Sequence, residues 1–243
     1  MSFNSTVSMF FGEITSIFSD LFNILTGENS VMLLQGTIDT LYMTFVSTFF
    51  SYLFAFPIGI ALVVTKKDGF HPMGFINRFL DIVVNIGRSV PFLILLIAVI
   101  PLTKLIAGKS YGSTATIVPL VIASTPFIAR LIESSLQEVD QGVVEAAQSM
   151  GASLSTIIFK VLIPEAKTSL IVGATISIGT ILSYSAMAGV VGGGGLGDIA
   201  IRYGYHRYQT DIMLVTVLLL IILVQLLQMI GMKIASKTDK RVI

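Results

Sequence analysis

At 243 residues, 54% hydrophobic and only 12% charged, the chain carries about half the charged share of an ordinary globular domain. A mean hydropathy of +0.89 points the same way. Zero Cys excludes disulfide frameworks, thiolate metal sites and thiol nucleophiles, and two His leave little for a His-based metal site. A net charge of +1 provides no electrostatic footprint for nucleic acid. The composition is that of an all-α integral membrane protein.

The first 35 residues stand apart. Phe3, Val7, Phe10, Ile14, Ile17, Leu21 and Leu25 recur at helical spacing, while Glu13, Asp20 and Glu28 interrupt any spanning run. This pattern predicts an amphipathic helix, lying on the outer interface or packed beside the first span. The segment has no Lys or Arg, which argues against a cleavable signal peptide with a basic start.

Five windows then match the roughly 20 apolar residues that a crossing helix needs. Residues 40–65, 110–129, 168–197 and 212–232 are free of charge, and residues 82–103 contain only Arg88. Arg88 is expected near a helix end, where its head can snorkel to the headgroups. Pro57, Pro91, Pro119 and Pro126 fall inside windows, and membrane helices tolerate such kinks because neighbours satisfy the freed carbonyls. With the N-terminus outside, 11 Lys and Arg lie on the inner side and 4 on the outer, so the reading is N-out and C-in. The expected organisation is an amphipathic segment at 1–35, a membrane domain at 36–235 with a cytoplasmic loop at 130–167, and a cytoplasmic tail at 236–243.

That loop departs from its surroundings. It holds Arg130, Glu133, Glu138, Asp140, Glu145, Lys160, Glu165 and Lys167, yet retains helical apolar spacing. Val143, Ala147 and Met150 are expected on one face of a first short helix, with Ile157, Val161 and Leu162 on a second. Gly151 separates the two, Ser153 can cap the second, and Pro164 is expected to stop it. Two angled amphipathic helices below a membrane form a shape that fits a groove in another protein.

The spacing Glu145-Ala146-Ala147, three residues, Gly151, nine residues, Val161-Leu162-Ile163-Pro164 resembles the EAA loop of ABC-importer permeases. The resemblance implies a coupling element that docks into a cytoplasmic ATPase subunit through Glu145, Ala146, Ala147, Met150, Gly151 and Pro164. A second stretch, Tyr184 to Gly197 followed by Arg202-Tyr203-Gly204-Tyr205, is similar to the methionine-uptake permeases, as are Arg88-Ser89-Val90-Pro91-Phe92 and Thr125-Pro126-Phe127-Ile128-Ala129-Arg130. The resemblance covers about residues 36–235 and implies the five-span fold of that family. It also implies two copies of an ABC ATPase and an extracytoplasmic binding protein or lipoprotein as partners. No cofactor is implied in this chain, since ATP would act on the partner.

Other motifs lead elsewhere. Gly192, Gly194 and Gly197 satisfy the dinucleotide spacing, but no strand precedes them and they end an apolar run on the outer side. They are read instead as a close turn at the outer mouth. Gly108-Lys109-Ser110 resembles the end of a phosphate loop, but Thr103 stands where its first Gly should be. Protease chemistry would need a base at depth beside Ser89, Ser124, Ser183 or Ser185, and His71 and His206 both fall in loops. Arg202, Tyr203, Tyr205, His206, Arg207 and Tyr208 form a basic aromatic cluster that fits an interfacial belt or a rim touched by a binding protein.

Five helices are few to enclose a path for an amino acid, so a homodimer is expected. Tyr184, Ser185 and Met187 are the gate candidates, with Gly189 providing backbone room. Import of another amino acid or a small peptide is the alternative. A gradient-driven carrier is the more distant rival, because the chain shows no half-length repeat and few ionisable residues at depth.

Overall fold

The computed structural model describes residue 27 and residues 29–239; most of the amphipathic segment expected over residues 1–35 and the basic pair Lys240 and Arg241 lie outside them. The regular elements among the described residues are all helices. Helix α1 (Ser30–Thr65) is followed by α2 (Gly74–Ser89), α3 (Phe92–Ala98), α4 (Ile100–Ala107) and α5 (Ser113–Gln137). Next come α6 (Gln141–Ser149) and α7 (Leu154–Thr156), a π-helical turn (Ile157–Leu162) and α8 (Ile163–Glu165). Helix α9 (Lys167–Ala188), a 3-10 turn (Gly189–Val191), α10 (Gly195–Ile199), a second π turn (Ala200–Tyr205) and α11 (Thr210–Thr238) complete the chain.

Four helical stretches among the described residues are long and apolar enough to cross a membrane: Ser30–Thr65, Ser113–Gln137, Lys167–Tyr205 and Thr210–Thr238. The fifth expected span is broken. Helices α2 and α3 turn by 101° between Ser89 and Phe92, so window 82–103 is not one continuous helix. Pro91 accounts for the break where Pro57, Pro119 and Pro126 leave their helices intact. Its ring pushes Val90 into an extended conformation, with φ −81° and ψ 123°.

Two boundaries also differ from the charge-free windows. Helix α1 begins at Ser30, inside the segment expected to be separate. Helix α5 continues to Gln137, so Arg130 and Glu133 belong to a spanning helix rather than to the loop.

Helix α1 lies along α5, with Gly59 against Ile132 and the Ala129 carbonyl. Thr40, Thr44 and Ser47 are buried along α1, and Ser124 is buried on α5. Small hydroxyl residues let membrane helices approach closely, and the Thr40 and Thr44 hydroxyls donate to carbonyls four residues back. The largest core joins Leu62 of α1, Val84 of α2, Ile132 and Leu136 of α5, and Ile181 of α9 to the loop residues Ala147, Ile157, Ile158 and Leu162.

Candidate functional site

The inner loop is shaped by three local devices. The Asp140 carboxylate caps α6 by accepting from the Gly142 N–H at 2.7 Å. Gly151 takes φ +76°, which an L side chain resists, and reverses the chain after α6. Ser153 caps α7 by accepting from the Thr156 N–H at 3.4 Å.

Pro164 does not stop the second helix, contrary to expectation. It sits in the first turn of α8, where a missing N–H leaves no bond unmade. The π turn before it widens the helix, with the Ile163 N–H reaching back to the Ile158 carbonyl.

The loop has a buried and an exposed face. Ala147 is 5% exposed and packs with Val144 against the main core. Val143 at 44% and Met150 at 81% point outward, so the expected Val143–Ala147–Met150 face is displaced to Val144–Ala147. The nine-residue helix ends at Ser149, so Met150 is its C-cap and stands outside the helical register of that face. Glu145, Ala146, Gly151 and Pro164 are likewise exposed. Glu145 borders a cleft of about 370 Å³ together with Lys66, Asp68 and Gln148. Lys66 and Asp68 were not singled out from the sequence, since nothing in spacing links the 66–73 turn to α6.

At the other end of α9, Tyr184 stacks on Phe92 with ring centroids 4.5 Å apart and planes within 2°. Ser185 is 1% exposed and its hydroxyl donates to the Leu182 carbonyl at 2.7 Å. Met187 is 41% exposed. Gly189 is buried, and the room it leaves is filled: a Cβ there would collide with the backbone of Gly197 and Asp198. Gly197 is pressed in turn against the Ala186 backbone.

The glycine run forms a turn tied to two other helices, α1 and α5. Gly192, Gly194 and Gly195 have φ of 75°, 83° and 74°. The Gly112 N–H donates to the Gly192 carbonyl at 2.9 Å, the Thr116 hydroxyl to the Gly193 carbonyl at 3.1 Å, and the Leu196 N–H to Thr40 Oγ1 at 2.9 Å. Beyond it, Arg202 pairs with Asp198, and the Arg207 guanidinium lies 4.6 Å from the Tyr203 ring centre. Tyr205 meets the His206 ring edge-on.

An ion-pair cluster on the broken span went unseen in the sequence. Arg130 donates to Asp81 Oδ1 at 2.5 Å, to Glu133 Oε2 at 2.7 Å and to Asn85 Oδ1 at 3.0 Å. Gln137 donates to the second Glu133 oxygen at 3.0 Å. The sequence signal is Asp81 and Asn85, one turn apart, but the charge-free windows place Arg130 and Glu133 in the loop. No group of three or more His, Asp or Glu among the described residues is placed to hold a metal.

A helical membrane chain with a buried-backed inner loop and a polar broken span is the framework of a transport subunit. Residues 55–242 match the binding-protein-dependent transport system inner membrane components, and the chain belongs to that family. It is a multi-pass permease subunit of the inner membrane, not an enzyme. It is 55% identical over 213 residues to the probable D-methionine transport system permease protein MetI of Vibrio cholerae, covering 88% of this chain and 95% of that one. It is 44% identical over 207 residues to the methionine import system permease protein MetP of Bacillus subtilis, covering 85% and 93%. Among solved structures, an inward-facing MetNI methionine ABC transporter superposes with a TM-score of 0.86 at 42% identity, covering 88% of this chain and all of that one.

Proposed function

We propose that this chain is the membrane-spanning subunit of an ATP-driven methionine importer, lining the path as a homodimer, N-out and C-in. Two ATPase subunits engage the exposed face of α6 and Gly151, and an extracytoplasmic binding protein delivers cargo to the outer mouth. The observation that carries this reading is the two-faced loop, with Glu145, Ala146 and Met150 outward and Ala147 packed into the core of the spans. The names of the similar chains supply the cargo. Tyr184, Ser185, Met187 and Gly189 form the gate region, with Met187 offering a polarizable surface to a thioether.

Mechanically, the ATPases draw the loop together on ATP and apart on hydrolysis. The spans follow because loop and helices share one core, and the path alternates between inward-open and outward-open states. ATP chemistry stays on the partner; this chain binds, orients and moves. Labelled methionine uptake into proteoliposomes with the ATPase and binding protein tests the reading. ATP-dependent uptake, competed by unlabelled methionine and indifferent to an ionophore, is the expected result. Uptake of another amino acid alone would move the cargo, and collapse on ionophore addition would overturn the ATP-driven class.

A further inference from the structure

Arg88 stands in the last turn of α2, as expected, but that helix end does not lie at the headgroups. Helix α2 runs antiparallel to α5: Asp81 and Asn85 meet Arg130, and a Cβ on Gly87 would press on Pro126 at 2.6 Å. Pro126 lies 13 residues from Ser113 and 11 from Gln137, the ends of α5. At 1.5 Å per residue it is about 20 Å and about 17 Å from them, so Arg88 sits near mid-depth. A guanidinium facing hydrocarbon there would be costly.

The face it occupies resolves that cost. On the α2 wheel Asn77, Arg78, Asp81, Asn85, Arg88 and Ser89 fall on one side, and Phe75, Phe79, Ile82, Val83 and Ile86 on the other. The apolar side is exposed, as a lipid-facing surface should be. The polar side is occupied by Arg130 at its inner part, but Arg88 is exposed and pairs with no carboxylate among the described residues. The break follows at once. Pro91 has no N–H for the Gly87 carbonyl, which leaves a free acceptor beside the cation. Phe92, four residues on and at most about 14 Å along the chain, stacks on Tyr184.

We infer that Arg88 lines the aqueous path at mid-membrane and binds the α-carboxylate of the amino-acid cargo, while the freed carbonyls of the α2 end face its α-ammonium group. Charge-assisted pairing with a carboxylate suits a guanidinium, and a helix C-terminus attracts a cation. The inference rests on the amino-acid importer reading and adds a recognition residue to it.

The chain has no Cys, so Arg88→Cys creates a unique thiol. In the assembled transporter in proteoliposomes, with labelling read on the permease band, a water-soluble methanethiosulfonate should modify it. Ile86→Cys, on the lipid side, should react only with a membrane-permeant maleimide. Methionine should slow the Arg88→Cys reaction and methioninamide, which lacks the carboxylate, should not. Uptake should fall about tenfold or more in Arg88→Cys, as expected for loss of a charged hydrogen bond. It should recover with an aminoethyl adduct and not with a sulfonatoethyl one. Arg88→Lys should retain uptake, and Ser89→Cys carries the labelling if Arg88→Cys fails to insert. Labelling by the permeant reagent alone, equal protection by methionine and methioninamide, or equal uptake with both adducts would overturn the inference. If the unmodified chain imports no methionine, the cargo reading fails separately, and labelling still decides whether this face meets water.

Discussion

The inner loop and the outer glycine turn both depend on glycine, in opposite ways. At Gly151 nothing lies within 4 Å of where a Cβ would be, and the requirement is a backbone angle, φ +76°. At Gly189 and Gly197 the requirement is space, because each backbone presses on the segment facing it. The inner region is a protruding handle with one face free. The outer region is a closed knot of backbone, tied to α1 through Thr40 and to α5 through Gly112 and Thr116. Substitutions should therefore damage folding at the outer end and partner engagement at the inner end.

The most severe test of that contrast is Gly197→Ala, whose methyl would overlap the Ala186 backbone. Overpacking typically costs about 1–3 kcal/mol, and a backbone clash belongs at the upper end. Loss of monodisperse protein in detergent is the expected readout, and a well-behaved variant would show the knot to be loose. Thr40→Val comes next, since it leaves the buried Leu196 N–H without an acceptor, at about 1–3 kcal/mol. A lowered thermal midpoint with intact ATPase co-purification is expected. Gly151→Ala should cost about 1–2 kcal/mol, the penalty for a left-handed L residue, with Gly151→Asn milder; here uptake should suffer more than the midpoint. Glu145→Ala should shift stability by about 0.5 kcal/mol or less, as exposed sites do, yet weaken co-purification of the ATPase. An unchanged complex would remove Glu145 from the contact.

The same contrast explains what the sequence made legible. Hydropathy locates the four long spanning helices and places its fifth window on the broken α2–α3 pair, because the requirement for about 20 apolar residues is one-dimensional. The caps Asp140 and Ser153 and the reversal at Gly151 are local events, and of these Ser153 and Gly151 are legible in the residues alone. Direction was not legible. The 101° break at Val90–Pro91 lies inside an apolar window, and a hydropathy average contains no angle. Pro164 does not end its helix as the residue type predicts, because its consequence depends on the π turn before it, a feature without a residue signature. The Arg130 cluster was hidden because charges at a window edge look alike whether they end a helix or are paired within it. Of the gate candidates, Tyr184 gained a stacking partner, while the Ser185 hydroxyl is engaged by its own helix.

Helix α1 carries a further consequence. Its 36 residues extend about 54 Å, against a hydrocarbon thickness of about 30 Å. Even a tilt of about 40° would leave it near 41 Å, longer than the bilayer interior it crosses. Lys66 and Lys67 anchor the inner end at the headgroups, so the mismatch is taken up at the other end. There Val31, Leu34 and Ile38 remain exposed beside the Gln35–Asp39 hydrogen bond, an amphipathic turn suited to the headgroup layer. Tilt and emergence of the first turns between them absorb the excess length, and bilayer thickness becomes a variable to which this permease should respond.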